Sequence, residues 1–213
     1  MKGLLLKNLY CLKQNVKSLL FIIVIWSLVF LPQKDGGLLL ISLCMMVSAM
    51  FTFTLSSYDR QVKWDTYALS MPLSRNAMVQ EKYIISILML TAAAAISFPL
   101  TGIAWLIRTG GIDAEFLCAM NTSHLTGTAI SLIYTALALP CSLWLGAEKG
   151  RYIPSVLFVA IFFTGIILAR GGRLKAISPD ILSNIGILLL GLSLLAFAGS
   201  YFISISIYRK KEF

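Results

Sequence analysis

The residues able to do chemistry in this chain are few and scattered. His124 is the single histidine, and a lone imidazole at the mouth of an apolar run reads as structural rather than as a ligand. Cys11, Cys44, Cys118 and Cys141 are widely spaced and form no CxxC pair, which argues against a zinc site or a disulfide framework. Cys44 and Cys141 fall inside apolar runs, where cysteine behaves as a small hydrophobe. ATP chemistry needs backbone amides that cradle phosphate, a Lys and Mg²⁺ ligands, usually as GxxxxGK[ST], and no Gly-Lys pair occurs in the chain. No catalytic residue, cofactor or metal site is therefore assigned. Charged and aromatic side chains of mixed type gather in one place, the segment 58–83.

The elements that must carry this segment are long and apolar. Six runs, at about 18–32, 36–57, 84–107, 125–147, 152–169 and 181–208, contain no acidic or basic residue. At about 1.5 Å of rise per residue, some 20 helical residues cross a hydrocarbon layer roughly 30 Å thick. Hydrophobic residues make up 58% of the chain and charged residues 13%, against roughly 45–50% and 25% in soluble domains. With mean hydropathy at +0.85, a soluble fold would leave too much apolar surface in water. Continuous apolar runs, rather than alternating ones, exclude a transmembrane β-barrel. The expected fold is all-α, a polytopic membrane protein with six transmembrane helices.

The net charge of +9 sits almost wholly between the runs, where membrane topology requires it, so nucleic acid is not an expected partner. Placing the N-terminus in the cytoplasm puts 13 of the 18 Lys and Arg residues inside, so both termini are expected there. The stretch 170–175, with Arg170, Arg173 and Lys175, falls outside and opposes the trend. No signal cleavage site comes after the first run, which ends in Leu31-Pro32-Gln33-Lys34-Asp35 and should stay in the membrane.

Residues 1–17 read as an amphipathic interfacial (elbow) helix, preceding a transmembrane permease-like body over 18–213. Leu5, Leu9, Leu12 and Val16 recur at helical spacing, with Lys2, Lys13 and Lys17 flanking and Lys7 opposite. Such a helix lies in the headgroup layer with its lysines toward anionic lipid, or simply anchors topology by positive charge. Pro99 and Pro140 fall inside the third and fourth runs, where each frees a backbone carbonyl. Small residues recur at Gly127, Ser131 and Thr135, and at Ala196, Ser200 and Ser204, marking faces where helices pack closely.

The segment 58–83 is longer and more aromatic than a plain connection needs. Trp64, Ala68 and Met71 share one face of a short helix that should stop before Pro72, and Ser74 can cap the next helix, from about Arg75. Aromatic and Arg anchors ringed by charge suit a protein contact; Trp64 and Tyr67 would equally suit the headgroup level. The stretch Asp59, Trp64, Tyr67, then Leu69-Ser70-Met71-Pro72-Leu73-Ser74-Arg75, with Val79 and Lys82-Tyr83, resembles a signature of ABC-2 family permease subunits. The likeness is strongest to the six-helix branch that includes exporters of phenol-soluble modulins and related antimicrobial-resistance permeases. The opening Met1 to Tyr10 and the closing Tyr208 to Phe213 are similar to that branch as well.

The resemblance implies a permease that dimerises, as a homodimer in the simplest case, on two copies of an ABC ATPase subunit in a bacterial plasma membrane. ATP and Mg²⁺ would be bound by that partner, and Asp59, Trp64, Tyr67, Pro72, Ser74 and Arg75 would shape the docking and coupling site. Uncharged runs suit an amphipathic or hydrophobic cargo, such as a cytolytic or antimicrobial peptide, better than an ion. The alternative is a non-transporting immunity or scaffold protein that binds a toxin or sensor. An ion-coupled carrier is disfavoured, because it would need Asp, Glu or His at membrane depth.

Overall fold

The computed structural model describes residues 2–30, 36–70, 74–109, 111, 113–146, 152, 155–156 and 179–210. The described residues are helical, with no strand among them. The elements are α1 (Lys2–Phe30), α2 (Gly36–Gln61), α3 (Trp64–Leu69), α4 (Arg75–Thr109), α5 (Ala114–Leu145) and α6 (Pro179–Lys210). All but α3 contain a stretch long and apolar enough to span a membrane, which makes five candidate spans among the described residues. They correspond to five of the six apolar runs. The remaining run, 152–169, and the basic stretch 170–175 lie almost wholly outside the described residues.

Several boundaries differ from the expected ones. Helix α4 starts at Arg75 as expected, but α2 continues through Asp59 and Arg60, so the true connection shrinks to a turn, α3 and a few further residues. A run ends where charge begins, but a helix ends where its backbone bonds do. His124 is likewise not at a helix mouth: α5 begins at Ala114, and the imidazole lies 5.3 Å from the Phe98 ring.

The core is a ring of four long helices. Helix α5 packs most extensively against α6 and α2, α2 against α4, and α4 closes onto α6. One cluster joins α3 to three of them through Ala68, Val79, Leu139, Phe197 and Tyr208. The first small-residue stripe is a packing face as expected: Gly127, Ser131 and Thr135 are all buried. At Gly127 an added Cβ would stand 3.4 Å from Met45 Cγ and 3.6 Å from the Ser42 backbone, ordinary contact distances, so α2 and α5 pack closely at this small position and leave little room beyond a methyl group. The second stripe is partly corrected. Ser200 and Ser204 are buried, but Ala196 is exposed and the packing row runs through Ser193 and Phe197.

Pro140 explains why Ser200 is there. Lacking an N–H, Pro140 leaves the Ala136 carbonyl without its helical donor. Ser200 Oγ of α6 donates to that carbonyl at 2.6 Å, and Ser200 and Ser204 also bond the Tyr83 hydroxyl of α4 at 2.7 and 2.8 Å. Three helices are thus joined by polar contacts among apolar surroundings.

Helix α1 lies on the rim, touching α2 and α4. It is continuous from Lys2 to Phe30, so residues before and after 17 belong to one helix. The face it packs on the bundle is not the Leu5, Leu9, Leu12 and Val16 stripe. Leu4 and Asn8 are buried, and Cys11, Leu12 and Leu19 pack on Phe51, Leu55, Ile85 and Met89, whereas Leu9 and Val16 are exposed and Leu5 is only partly covered.

Candidate functional site

Several charged residues of α1, α2 and α4 converge at the end of the bundle that carries α3. The geometry begins with helix periodicity: Asp59 closes the last turns of α2, Lys82 lies in the third turn of α4, and Lys7 lies in the second turn of α1. Asp59 accepts from Lys7 Nζ at 2.6 Å on one carboxylate oxygen and from Lys82 Nζ at 3.0 Å on the other. Glu81 stands 3.6 Å from Lys7 and accepts a hydrogen bond from the Asn8 side-chain amide. Two ammonium groups face two carboxylates, so the cluster is neutral as a unit.

Its burial matters more than its count of bonds. The side chains of Lys82, Asp59 and Glu81 are 7%, 9% and 2% exposed, so water contributes little to their solvation. A charge in such a place persists only when each partner stays where it is. Lys7 also lies over the Trp64 ring, 4.6 Å from its centroid, which ties α1 to α3 by a cation–π contact. Trp64 in turn leans on Tyr67, ring centroids 5.6 Å apart.

Two arginines extend the same device to the other helices. Arg60 donates to the carbonyl of Ser142, in the last turn of α5, and its guanidinium borders Gly146, the residue that ends that helix at φ +95°. Arg75 donates to the carbonyl of Arg209 at 2.6 Å, in the last turn of α6, and Arg209 answers with a bond to Asn76 at 3.1 Å. Each guanidinium meets the negative end of a helix and satisfies a carbonyl that has no partner within it. The connection between α2 and α4, together with the helix turns that flank it, therefore grips α1 through Asp59 and Trp64, α5 through Arg60 and α6 through Arg75.

The expected site residues divide into two groups. Asp59, Trp64 and Arg75 are engaged within the chain, and Ser74 caps α4 by accepting from the Ala77 N–H at 3.2 Å, as its position suggested. Tyr67 faces outward at 58% exposure, beside Val62 at 71%. Pro72 and Met71 lie outside the described residues. Of the interfacial set, Lys13 points outward with Leu9 and Val16, Leu12 packs inward, and the Lys2 side chain is not among those described.

Sequence reasoning missed Asn8, Glu81 and Arg60, and gave Lys7 only a solvated role. The available signal was the pairing Asp59-Arg60 and Glu81-Lys82, opposite charges placed side by side where an apolar run ends or begins. Such doublets next to a lipid-level helix are costly unless a partner is waiting.

No group of His, Cys, Asp and Glu side chains among the described residues could hold a metal ion. The arrangement can transmit force between helices; it carries no constellation for bond making. Curated proteins yield no significant match to the chain. The family described as ABC-2 family transporter protein matches it over residues 3–209. Matched over almost its whole length, and with five helices fit to cross a bilayer, the chain belongs to the ABC-2 transporter family, whose membrane components normally work with an ABC ATPase partner.

Proposed function

We propose that the chain is the permease subunit of an ATP-binding cassette exporter, with ATP hydrolysed on a separate subunit docked against the α2–α4 connection from the cytoplasm. The observation that carries this reading is the grip of that connection on α1, α5 and α6. A push on α3 reaches α1 through Trp64, while Asp59 and Arg60 at the end of α2 and Arg75 at the start of α4 tie those helices to α1, α5 and α6. Val62 and Tyr67, apolar and outward at the same end, supply the contact for the partner. Trp64 and Arg75 then act as positioning residues behind the contact.

Cargo is proposed from the same surfaces. The apolar runs within the spans carry no charged side chain, which suits an amphipathic or hydrophobic peptide of the phenol-soluble modulin kind or a lipophilic antimicrobial. Two copies of the permease on two ATPase subunits, in a bacterial plasma membrane, complete the proposed machine. The first turns of α1, to about residue 17, are proposed to lie at the membrane interface, with both termini cytoplasmic.

The sixth crossing has topological support. Helix α5 ends beside Arg60, at the α3 end. Helix α6 ends beside Arg75, at that same end, while its first turns lie near Leu125 and Thr126 toward the opposite end. A sixth crossing by the apolar run 152–169 would join these two ends.

Docking is tested by co-purification. Val62→Asp with Tyr67→Asp should abolish recovery of the co-expressed ATPase subunit and its permease-stimulated turnover, while the permease still inserts. Full recovery and turnover in the double variant would show that the partner docks elsewhere. An unstimulated ATPase with the wild-type chain would favour the scaffold or immunity alternative.

A further inference from the structure

We propose that α1 carries a binding site for the phosphate of an anionic lipid headgroup, separate from the docking contact. The site is a groove of about 740 Å³ lined by Lys7, Tyr10, Cys11, Lys13, Gln14 and Lys17. Three of its six residues are cationic and none is acidic. Lys7 is engaged by Asp59 and forms the back of the groove, whereas Lys13 and Lys17, one helical turn apart, are exposed. Two ammonium groups at this spacing can hold one phosphate between them, with the Tyr10 hydroxyl and the Gln14 amide as further donors. Cys11 packs inward on the α2–α4 side and closes the floor.

The next turns of the same helix favour a lipid over a soluble phosphate. Helix α1 passes unbroken from Lys17 into a wholly apolar stretch, Leu19 to Trp26. In and just beyond it, Leu20, Phe21, Val24 and Leu28 are more than half exposed. A ligand held by phosphate at Lys13 and Lys17 would thus have an apolar surface beside it for acyl chains; a soluble ester would leave that surface unused. The inference rests on the reading of the first turns of α1 as lying at the membrane interface. Occupancy next to Lys7 would place a negative charge against the cluster that joins α1 to α2 and α4, so the lipid would bias the position of α1.

The test uses the purified full-length chain in neutral detergent, titrated with phosphatidylglycerol, phosphatidylcholine or glycerol 1-phosphate. Bound lipid is counted by native mass spectrometry, and the thermal unfolding midpoint is followed in parallel. Phosphatidylglycerol should bind saturably and raise the midpoint; phosphatidylcholine and glycerol 1-phosphate should not. Lys13→Gln with Lys17→Gln should weaken that binding roughly tenfold or more, Lys13→Arg with Lys17→Arg should retain it, and Lys63→Gln with Lys210→Gln should leave it unchanged. Equal binding of phosphatidylcholine, an equal response to glycerol 1-phosphate, or equal loss in the Lys63/Lys210 control would overturn the site. Should the Gln pair not be recovered folded, Tyr10→Glu reads the same groove by placing a carboxylate in it. ATPase co-purification on each sample separates the two readings: lost lipid selectivity with intact docking sinks the groove alone.

Discussion

Asp59 is the residue on which the α3 end depends. Its carboxylate faces two ammonium groups, and Lys82 is nearly sealed from water. Asp59→Asn would leave Lys82 and Lys7 without their main counter-charge, a loss of about 3–5 kcal/mol for a buried pair broken on one side. The measurement is thermal unfolding in detergent, and the loss should change little with added salt, because the pair is shielded from the ionic atmosphere. Replacing both members, Asp59→Leu with Lys82→Met, should cost much less than Asp59→Asn, since no orphan charge is created between them. If the double change is as damaging as the single one, the cluster is not a charge-balanced clamp. Asp59 and Lys82 were legible in the sequence as charges in an unusual place. Lys7 as the partner of Asp59, and Asn8 as the partner of Glu81, were not, since 52 and 73 residues separate the bonded positions. In water, Leu5, Leu9, Leu12 and Val16 would mark the inward stripe. Beside lipid, an apolar side chain is content on either face, so the polar Asn8 and small Cys11 can face the protein while Leu9 and Val16 face out.

At the scale of the element, the long helices were legible and most of their ends were not. Apolar runs locate spans, but α2, α4 and α5 each extend beyond their runs, carrying Asp59, Glu81 and His124 with them. Ser74 as the cap of α4 was readable, because a serine ahead of a helical stretch satisfies an N–H locally. The Pro140–Ser200 relation was not, because it joins two helices through a carbonyl that only the fold brings to Ser200. It makes a sharp prediction. Ser200→Ala removes the donor to the Ala136 carbonyl and should cost about 1–3 kcal/mol, the penalty of a buried acceptor left unpaired. Pro140→Ala restores an N–H within α5 that can reach the same carbonyl. In the Pro140→Ala background, Ser200→Ala should therefore cost clearly less, and a double-mutant cycle read by thermal unfolding gives the coupling. Strict additivity of the two changes would mean that Ser200 serves only Tyr83.

At the scale of the whole molecule, the distribution of polar and apolar surface predicts an orientation. Lys7, Asp59, Arg60, Arg75, Lys82 and Arg209 gather at one end, and the sides of α1 and α6 present Leu28, Leu188, Leu195 and Phe202 outward. Positive charge favours the cytoplasmic side, so α3 is expected there and Gly111, in the short segment between α4 and α5, on the opposite side. The proposed sixth crossing makes a further prediction, about residue 172. With the last turns of α5 and α6 both at the α3 end, an additional crossing before α6 puts 172 on the same side as Gly111. Single cysteines at Thr66, Gly111 and Gly172, in a background lacking the four native cysteines, report the answer with a membrane-impermeant maleimide. Cysteine at 111 and 172 should label in intact cells, and at 66 only after the membrane is opened. Labelling of 172 together with 66 would remove the sixth crossing. Labelling of 66 alone in intact cells would invert the molecule and place the α2–α4 connection out of reach of any cytoplasmic ATPase.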